Sequence, residues 1–182
     1  MKYLTICDDV KVRIIPVSGR DDVELSSIAY NEVRKLGADI LGYSNLVIEK
    51  DERGKPFFQG NIDCDLSISH TDGMVAVAVG KKCKIGVDVE KIHKISNVIV
   101  NKYYSPLEKK AISQNKENVE LIETKIWTRK EAYSKCLGTG LNKKILAWDS
   151  YSNRDIIMET KIYNNYVVTL CRMDEFIPIE KN

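Results

Sequence analysis

The chain has 182 residues, 43% of them apolar and 30% charged, with 28 basic against 26 acidic side chains for a net charge of +2. That length suits one compact domain or two small halves sharing an interface, in the composition of an ordinary soluble globular protein. The near balance of charge argues for no nucleic-acid partner, which calls for a basic excess, and no apolar run approaches the roughly 20 residues that span a bilayer.

Lys11 to Val17 is rich in β-branched residues and predicts a strand ended by Pro16 and Gly19. From Asp21 to about Leu41 the apolar positions Val23, Leu25, Ile28, Ala29, Val33, Leu36 and Ile40 predict an amphipathic helix with an acidic first turn. Leu46 to Ile48 predicts a short strand, and Asp51 to Pro56 a turn. Leu66–His70, Met74–Val79 and Ile85–Val89 then predict three strands in quick succession. Turns at Thr71-Asp72-Gly73 and Gly80–Lys84 join them, which makes an antiparallel meander the economical reading.

The second half opens with helix-compatible spacing over Ile95–Lys102, Pro106–Gln114 and Val119–Leu137. Ser105 before Pro106, with Glu108 at the third helical position, is a capping-box pattern, and Gly138 supplies a C-terminal stop. Strands are predicted again at Ile145–Tyr151, Ile156–Tyr163 and Tyr166–Arg172, with Asn164-Asn165 as a tight hairpin turn. The element order predicts an α+β fold of two duplicated lobes related by a pseudo-two-fold, each a helix on a roughly three-stranded antiparallel sheet. The lobes are expected at 1–85 and 86–182, meeting near Lys84–Gly86, with the active site at their interface.

Five cysteines carry no Cys-x-x-Cys pair, and His70 and His93 offer no zinc spacing. They read as free thiols in a reducing compartment. The first residues turn acidic at Asp8-Asp9 before a signal-peptide core forms, so a cytoplasmic location is expected.

Two segments offer chemistry. In Gly86-Val-Asp88-Val-Glu90 a strand would point both acids to one face, with Val87 and Val89 to the other and Gly86 permitting close backbone approach. In Trp127–Lys135 a helix would place Glu131 and Lys135 on a shared face. Each has a plain explanation: charges on a strand edge, and an amphipathic helix with a surface ion pair worth about 0.2–0.5 kcal/mol. Together they supply three hard carboxylates and a lysine, which suit a divalent cation held against a pyrophosphate. Ser67, Ser69 and His70 could line a phosphate pocket as donors, although a histidine at a strand end is more often a structural hydrogen-bonder.

Gly54-Lys55-Pro56, Leu66-Ser-Ile-Ser-His70, Ile85-Gly-Val-Asp-Val-Glu90 and Trp127-Thr-Arg-Lys-Glu-Ala132 with Lys135 occur in this order, with Lys102-Tyr-Tyr-Ser-Pro-Leu-Glu108 between the last two. From about Gly54 to Leu141 the chain resembles the 4'-phosphopantetheinyl transferase superfamily, of the surfactin-synthetase-activating (Sfp-like) type. The resemblance implies a Mg2+-dependent enzyme, acting as a monomer, that moves the phosphopantetheine arm of coenzyme A onto a serine of an acyl or peptidyl carrier protein. It implies Asp88, Glu90 and Glu131 as ligands of Mg2+ or Mn2+, and Glu131 and Lys135 as catalytic. It implies Ser69, His70 and Lys135 as contacts to the coenzyme's phosphates, and Gly54 and Lys55 as neighbours of its adenine. Arg20, Arg34 and Lys35 are candidates for the 3'-phosphate, and Lys102, Lys109 and Lys110 for an acidic carrier helix. Two other functions use the same residues: a metal-dependent phosphodiester hydrolase, and a non-catalytic coenzyme A or carrier-binding module.

Overall fold

The computed structural model describes residues 2–7, 9–19, 21–60, 63–152 and 156–174. Its first sheet has strand order β1 (Lys2–Cys7), β2 (Val10–Pro16), β6 (Met74–Lys81), β5 (Cys64–Thr71), all antiparallel. Between β2 and β5 come helix α1 (Asp22–Leu41) and a small ribbon of β3 (Ile48–Lys50) with β4 (Pro56–Phe58). The predicted helix is found with its expected acidic start. Asp21 accepts the Glu24 N–H while Glu24 returns to the Asp21 N–H, and Gly42 ends the helix at φ 80°.

The Val-Ala alternation of β6 is explained by its two neighbours. Val75, Val77 and Val79 face α1, packing with Leu25, Ala29, Val33 and Leu36. Met74, Ala76 and Ala78 face the other way, where their small size admits a second sheet. That sheet has the order β7 (Cys83–Lys91), β9 (Tyr166–Asp174), β8 (Ile157–Tyr163), again antiparallel. Ile85, Val87 and Val89 of β7 and Val168 and Leu170 of β9 fill the space between the sheets. Helix α4 (Val119–Leu137) covers the outer face of the second sheet, and α2 (Asn97–Tyr103) and α3 (Pro106–Gln114) pack beside it. The layers therefore run α1, first sheet, second sheet, α4.

Three expectations need correction. The three strands from Leu66 to Val89 are not one meander: β7 leaves the first sheet after Lys82, a left-handed residue at φ 55°, and takes β9 as its ladder partner. An apolar strand face defines what a strand packs against but not which strand it bonds. The strand predicted at Ile145–Tyr151 is instead a short helix, α5 (Lys143–Ala147). Asn142 accepts from the amides of Lys144 and Ile145, and this cap decides the local structure over the β-branched count. The strand predicted at Leu46–Ile48 begins at Ile48, because Leu46 is drawn into the α1 core.

Gly86 is the point of closest approach between β7 and α4. A methyl group there would overlap the Ala132 carbonyl and the Cys136 amide. Both are helix backbone and cannot rotate away. Gly86→Ala is therefore expected to destabilise the fold by about 3 kcal/mol, the upper range for overpacking. Urea denaturation checks this, and an unchanged midpoint would show that α4 is not pressed against the strand.

Candidate active site

Seating α4 on Gly86 brings Glu131 and Lys135 over the strand face that carries Asp88 and Glu90. Other contacts fix the helix there. Thr128 and Thr169 hydroxyls lie 2.8 Å apart, both buried. Glu123 accepts the Ile95 amide at 3.0 Å, and Thr124 accepts the His93 amide at 3.1 Å. Behind Glu131, Lys130 is fully buried against Glu108 at 3.0 Å and donates to the Trp148 carbonyl. Glu108 also accepts from the amides of Ser105 at 2.8 Å and Ser150 at 2.9 Å.

β5 and β7 belong to different sheets, so no backbone ladder joins them. Side chains do so instead. Asp65 accepts the Ile85 amide at 2.9 Å, Ser67 the Val87 amide at 2.9 Å and Ser69 the Val89 amide at 3.3 Å. One row of β5 residues, two apart, thus serves one row of β7 amides, two apart. Short polar side chains are what this gap admits, which accounts for the polar positions of Asp65-Leu-Ser-Ile-Ser69.

Ser69 is the branch point of the site. Its hydroxyl donates to Asp88 Oδ1 at 2.9 Å and accepts from Lys135 Nζ at 2.8 Å as well as from Val89. Lys135 Nζ also donates to Asp88 Oδ1 at 2.8 Å. Asp88 is 3% exposed, and its second oxygen, Oδ2, is buried without a hydrogen-bond partner. Burial pushes the Glu131 carboxyl up to about 7, helped by the Asp88 and Glu90 charges and opposed by Lys135. Glu90 is likewise raised, first by burial and then by Asp88, while His93, Lys135 and the Trp127 indole oppose the shift. Three acids within electrostatic reach of one another, one with an orphaned buried oxygen, have the donor chemistry that suits a hard divalent cation, and closing on one would require them to draw together. Among the described residues no three carboxylate, thiol or imidazole groups are gathered to metal-ligating spacing. The nearest cation to Asp88 is the Lys135 ammonium.

Glu131 provides a direct test of this electrostatic setting. Its folded pKa of about 7 lies above the ordinary 4.5, so between those values the unfolded chain sheds its proton first. In the presence of a chelator, the Glu131 contribution to stability therefore falls as pH rises from about 4.5 to about 7 and is constant beyond. After solvent screening the loss is on the order of 1–2 kcal/mol. Urea denaturation at pH 5 and pH 8 should show it in the wild type and not in Glu131→Gln; equal slopes in both would remove the effect from Glu131.

The other expected residues divide. A cavity of about 270 Å3 joins Gly54 and Lys55 to Ser67, Glu131, Lys135 and the Gly138–Leu141 loop. Lys55 stands on its wall, bonded to Asp65 at 2.6 Å and to the Cys136 carbonyl at 3.4 Å, with a second cavity of about 590 Å3 beyond it. His70 is exposed and lies on the face of β5 opposite Ser69, so it does not join the acids. Arg34 is exposed beside Asn31, and Lys35 is bonded to Glu32 at 2.6 Å, both away from the acids on α1. Arg20 lies outside the described residues. Lys109 is bonded to the Asn101 carbonyl at 2.8 Å, and Lys102 and Lys110 are exposed nearby on α2 and α3. Asp65 and the Glu108–Lys130 pair had no signal of this role in local spacing. The alternation of Asp65 with the two serines is what could have shown the first.

A family model for the 4'-phosphopantetheinyl transferase superfamily matches residues 84–171, the stretch from β7 through α4 to β9. The 4'-phosphopantetheinyl transferase gsp of Aneurinibacillus migulanus is 31% identical over 98 residues, covering 53% of this chain and 40% of that protein. The 4'-phosphopantetheinyl transferase Sfp of Bacillus subtilis (strain 168) is 30% identical over 115 residues, 63% of this chain and 50% of that one. The 4'-phosphopantetheinyl transferase psf-1 of Bacillus pumilus is 26% identical over 116 residues, 63% and 49%. The chain thus spans about half the length of the curated relatives it matches. With its acids and lysine inside the matched stretch, the chain is similar to the 4'-phosphopantetheinyl transferase superfamily and, among its relatives, to those of the Sfp-like type.

Proposed function

We propose that the protein transfers the 4'-phosphopantetheine arm of coenzyme A to a serine of an acyl or peptidyl carrier protein, releasing adenosine 3',5'-bisphosphate. The observation that carries this reading is the meeting of Asp88, Ser69 and Lys135 under a helix that also presents Glu131. Asp88, Glu90 and Glu131 would hold Mg2+ or Mn2+, which when bound neutralises the pyrophosphate and holds it for in-line attack. Asp88 is the best-positioned of the three, with one oxygen committed to Ser69 and Lys135 and the other free of protein donors.

Glu131, raised to about 7, accepts the proton of the carrier serine as its oxygen attacks the β-phosphorus. Lys135 binds the coenzyme's phosphates and stabilises the charge that builds on the departing bisphosphate. Gly54 and Lys55 wall the 270 Å3 cavity that leads away from Glu131, on the side proposed for the nucleotide. Ser69 orients Asp88 and Lys135, and His70 is left as a surface contact for the coenzyme's phosphates. The nucleophile comes from the carrier, which agrees with thiols that are held inert: burial raises Cys64 to about 12, and the buried Cys171 is raised chiefly by its bond to Cys136. The protein is proposed to act as a monomer. The cytoplasm is the proposed compartment, supported by four free cysteines among the described residues. No helix among those residues is long and apolar enough to cross a membrane.

The test is intact-mass spectrometry of a panel of apo carrier proteins incubated with the protein, coenzyme A and Mg2+. A carrier gaining one phosphopantetheine is expected. Coenzyme A consumed without any carrier would favour the hydrolase, and binding without turnover the non-catalytic module.

A further inference from the structure

Asp88 and Lys135, read above as a metal ligand and a phosphate contact, are bound directly to each other at 2.8 Å. The ammonium has two partners, Asp88 Oδ1 and Ser69 Oγ, each at 2.8 Å. Ser69 is itself bonded to the same Asp88 oxygen, so the three groups form a closed triangle. The carboxylate is 4% exposed and the lysine side chain 30% exposed, so one member is fixed and the other has a route to solvent. That route opens on the 270 Å3 cavity, which Lys135 lines together with Gly54, Lys55 and the Gly138–Leu141 loop.

A cation arriving at the open Oδ2 of Asp88 is repelled by the ammonium on Oδ1, because charges at such short range interact far more strongly at a protein interior than in water. A divalent ion approaching Asp88 therefore meets a positive charge already seated on it. A pyrophosphate in the cavity would offer that ammonium an alternative partner of higher charge. Resting on the reading of the site given above, we propose that Lys135 is a displaceable counter-ion on Asp88. It yields the carboxylate to the divalent cation as the phosphates of coenzyme A draw it away, so that cation and coenzyme bind cooperatively. Ser69 is the hinge of the exchange, since its hydroxyl bonds both partners. By reciprocity, whatever the coenzyme contributes to cation affinity, the cation returns to coenzyme affinity.

The test is titration of the protein with Mn2+, following free Mn2+ by electron paramagnetic resonance, with and without coenzyme A. Lys135→Met keeps the bulk of the side chain and removes its charge. It is expected to bind Mn2+ alone about tenfold more tightly than the wild type, within the range of ordinary site–site couplings. Coenzyme A should raise Mn2+ affinity by a larger factor in the wild type than in this variant. Lys91→Met is the charge control: its ammonium pairs with Asp72 at 3.6 Å, not with Asp88, and a change under about threefold is expected for so exposed a pair.

Equal or weaker Mn2+ binding by Lys135→Met, or an equal gain in the Lys91 control, overturns the proposal. Lys135→Gln is read in the same way should circular dichroism show that the methionine variant is unfolded. A wild type that modifies carriers yet shows no such shift sinks this inference alone. A Mn2+ shift without carrier modification leaves the exchange intact and removes the proposed reaction.

Discussion

Asp88→Asn is expected to lower carrier modification by at least about a hundred- to a thousandfold, the loss seen when one preorganised electrostatic group is removed. The substitution keeps an acceptor oxygen for Ser69 and Lys135 at the Oδ1 position, so the triangle of hydrogen bonds has the atoms it needs. What it removes is the negative charge and the bare Oδ2, the two properties that suit Asp88 to a divalent cation. It also relieves the repulsion that Asp88 exerts on Glu90 and Glu131. Stability should fall by no more than about 1–3 kcal/mol, the cost of the lost Lys135 counter-charge and of a buried amide donor where Oδ2 has no partner. Initial rates by mass spectrometry, with urea denaturation on the same samples, separate the two effects. Near-normal turnover in a folded variant would take Asp88 out of the cation site.

The reverse pattern is expected at Lys130, one residue before Glu131. Lys130→Met should destabilise the protein by about 3–5 kcal/mol, the cost of leaving one member of a buried ion pair alone. Lys130 and Glu108 are both fully buried, so Glu108 would keep a charge with no route to water. Burial lowers the Lys130 pKa while Glu108 holds the ammonium charged. Against a typical total of about 5–15 kcal/mol, such a loss would leave the second half only marginally folded. Adding Glu108→Gln should recover part of the loss. The neutral side chain can still accept from the Ser105 or Ser150 amide, and no buried charge remains. Equilibrium urea denaturation of the two singles and the double gives the coupling directly. A single variant as stable as the wild type would mean that this pair does not hold α4 in place.

The pairing of Asp88 with Glu90, and of Glu131 with Lys135, was legible because strand and helix periods are local properties. Gly86 was legible for the same reason: a glycine between Ile85 and Val87 in a strand marks a close approach, and the α4 backbone fills it. The Ser105–Glu108 capping box forms with both of its hydrogen bonds, since caps too are settled within one turn.

What escaped the sequence depends on distant partners. β7 was placed in the wrong sheet because its apolar face packs on the first sheet while its ladder belongs to β9, more than seventy residues on. Lys135 sits one turn from Glu131, as an ordinary i,i+4 pair would, yet its bond is to Asp88 across the helix–sheet interface. Asp65, Ser67 and Ser69 read as an alternating strand, with no sign that their side chains stand in for a missing ladder. His70 lost its place among the acids by the same alternation, since it is one residue from Ser69 and so faces away. The site lies where the two sheets and α4 meet, and no single segment encodes that meeting.

The most direct measurement is a crystal of the protein grown with Mn2+ and coenzyme A, with data collected at the manganese absorption edge. The proposed site predicts one anomalous peak bonded at about 2 Å to oxygens of Asp88, Glu90 and Glu131, with Lys135 moved from Asp88 to a phosphate. A peak on other residues, or phosphates bound with no ion among these three carboxylates, would contradict it.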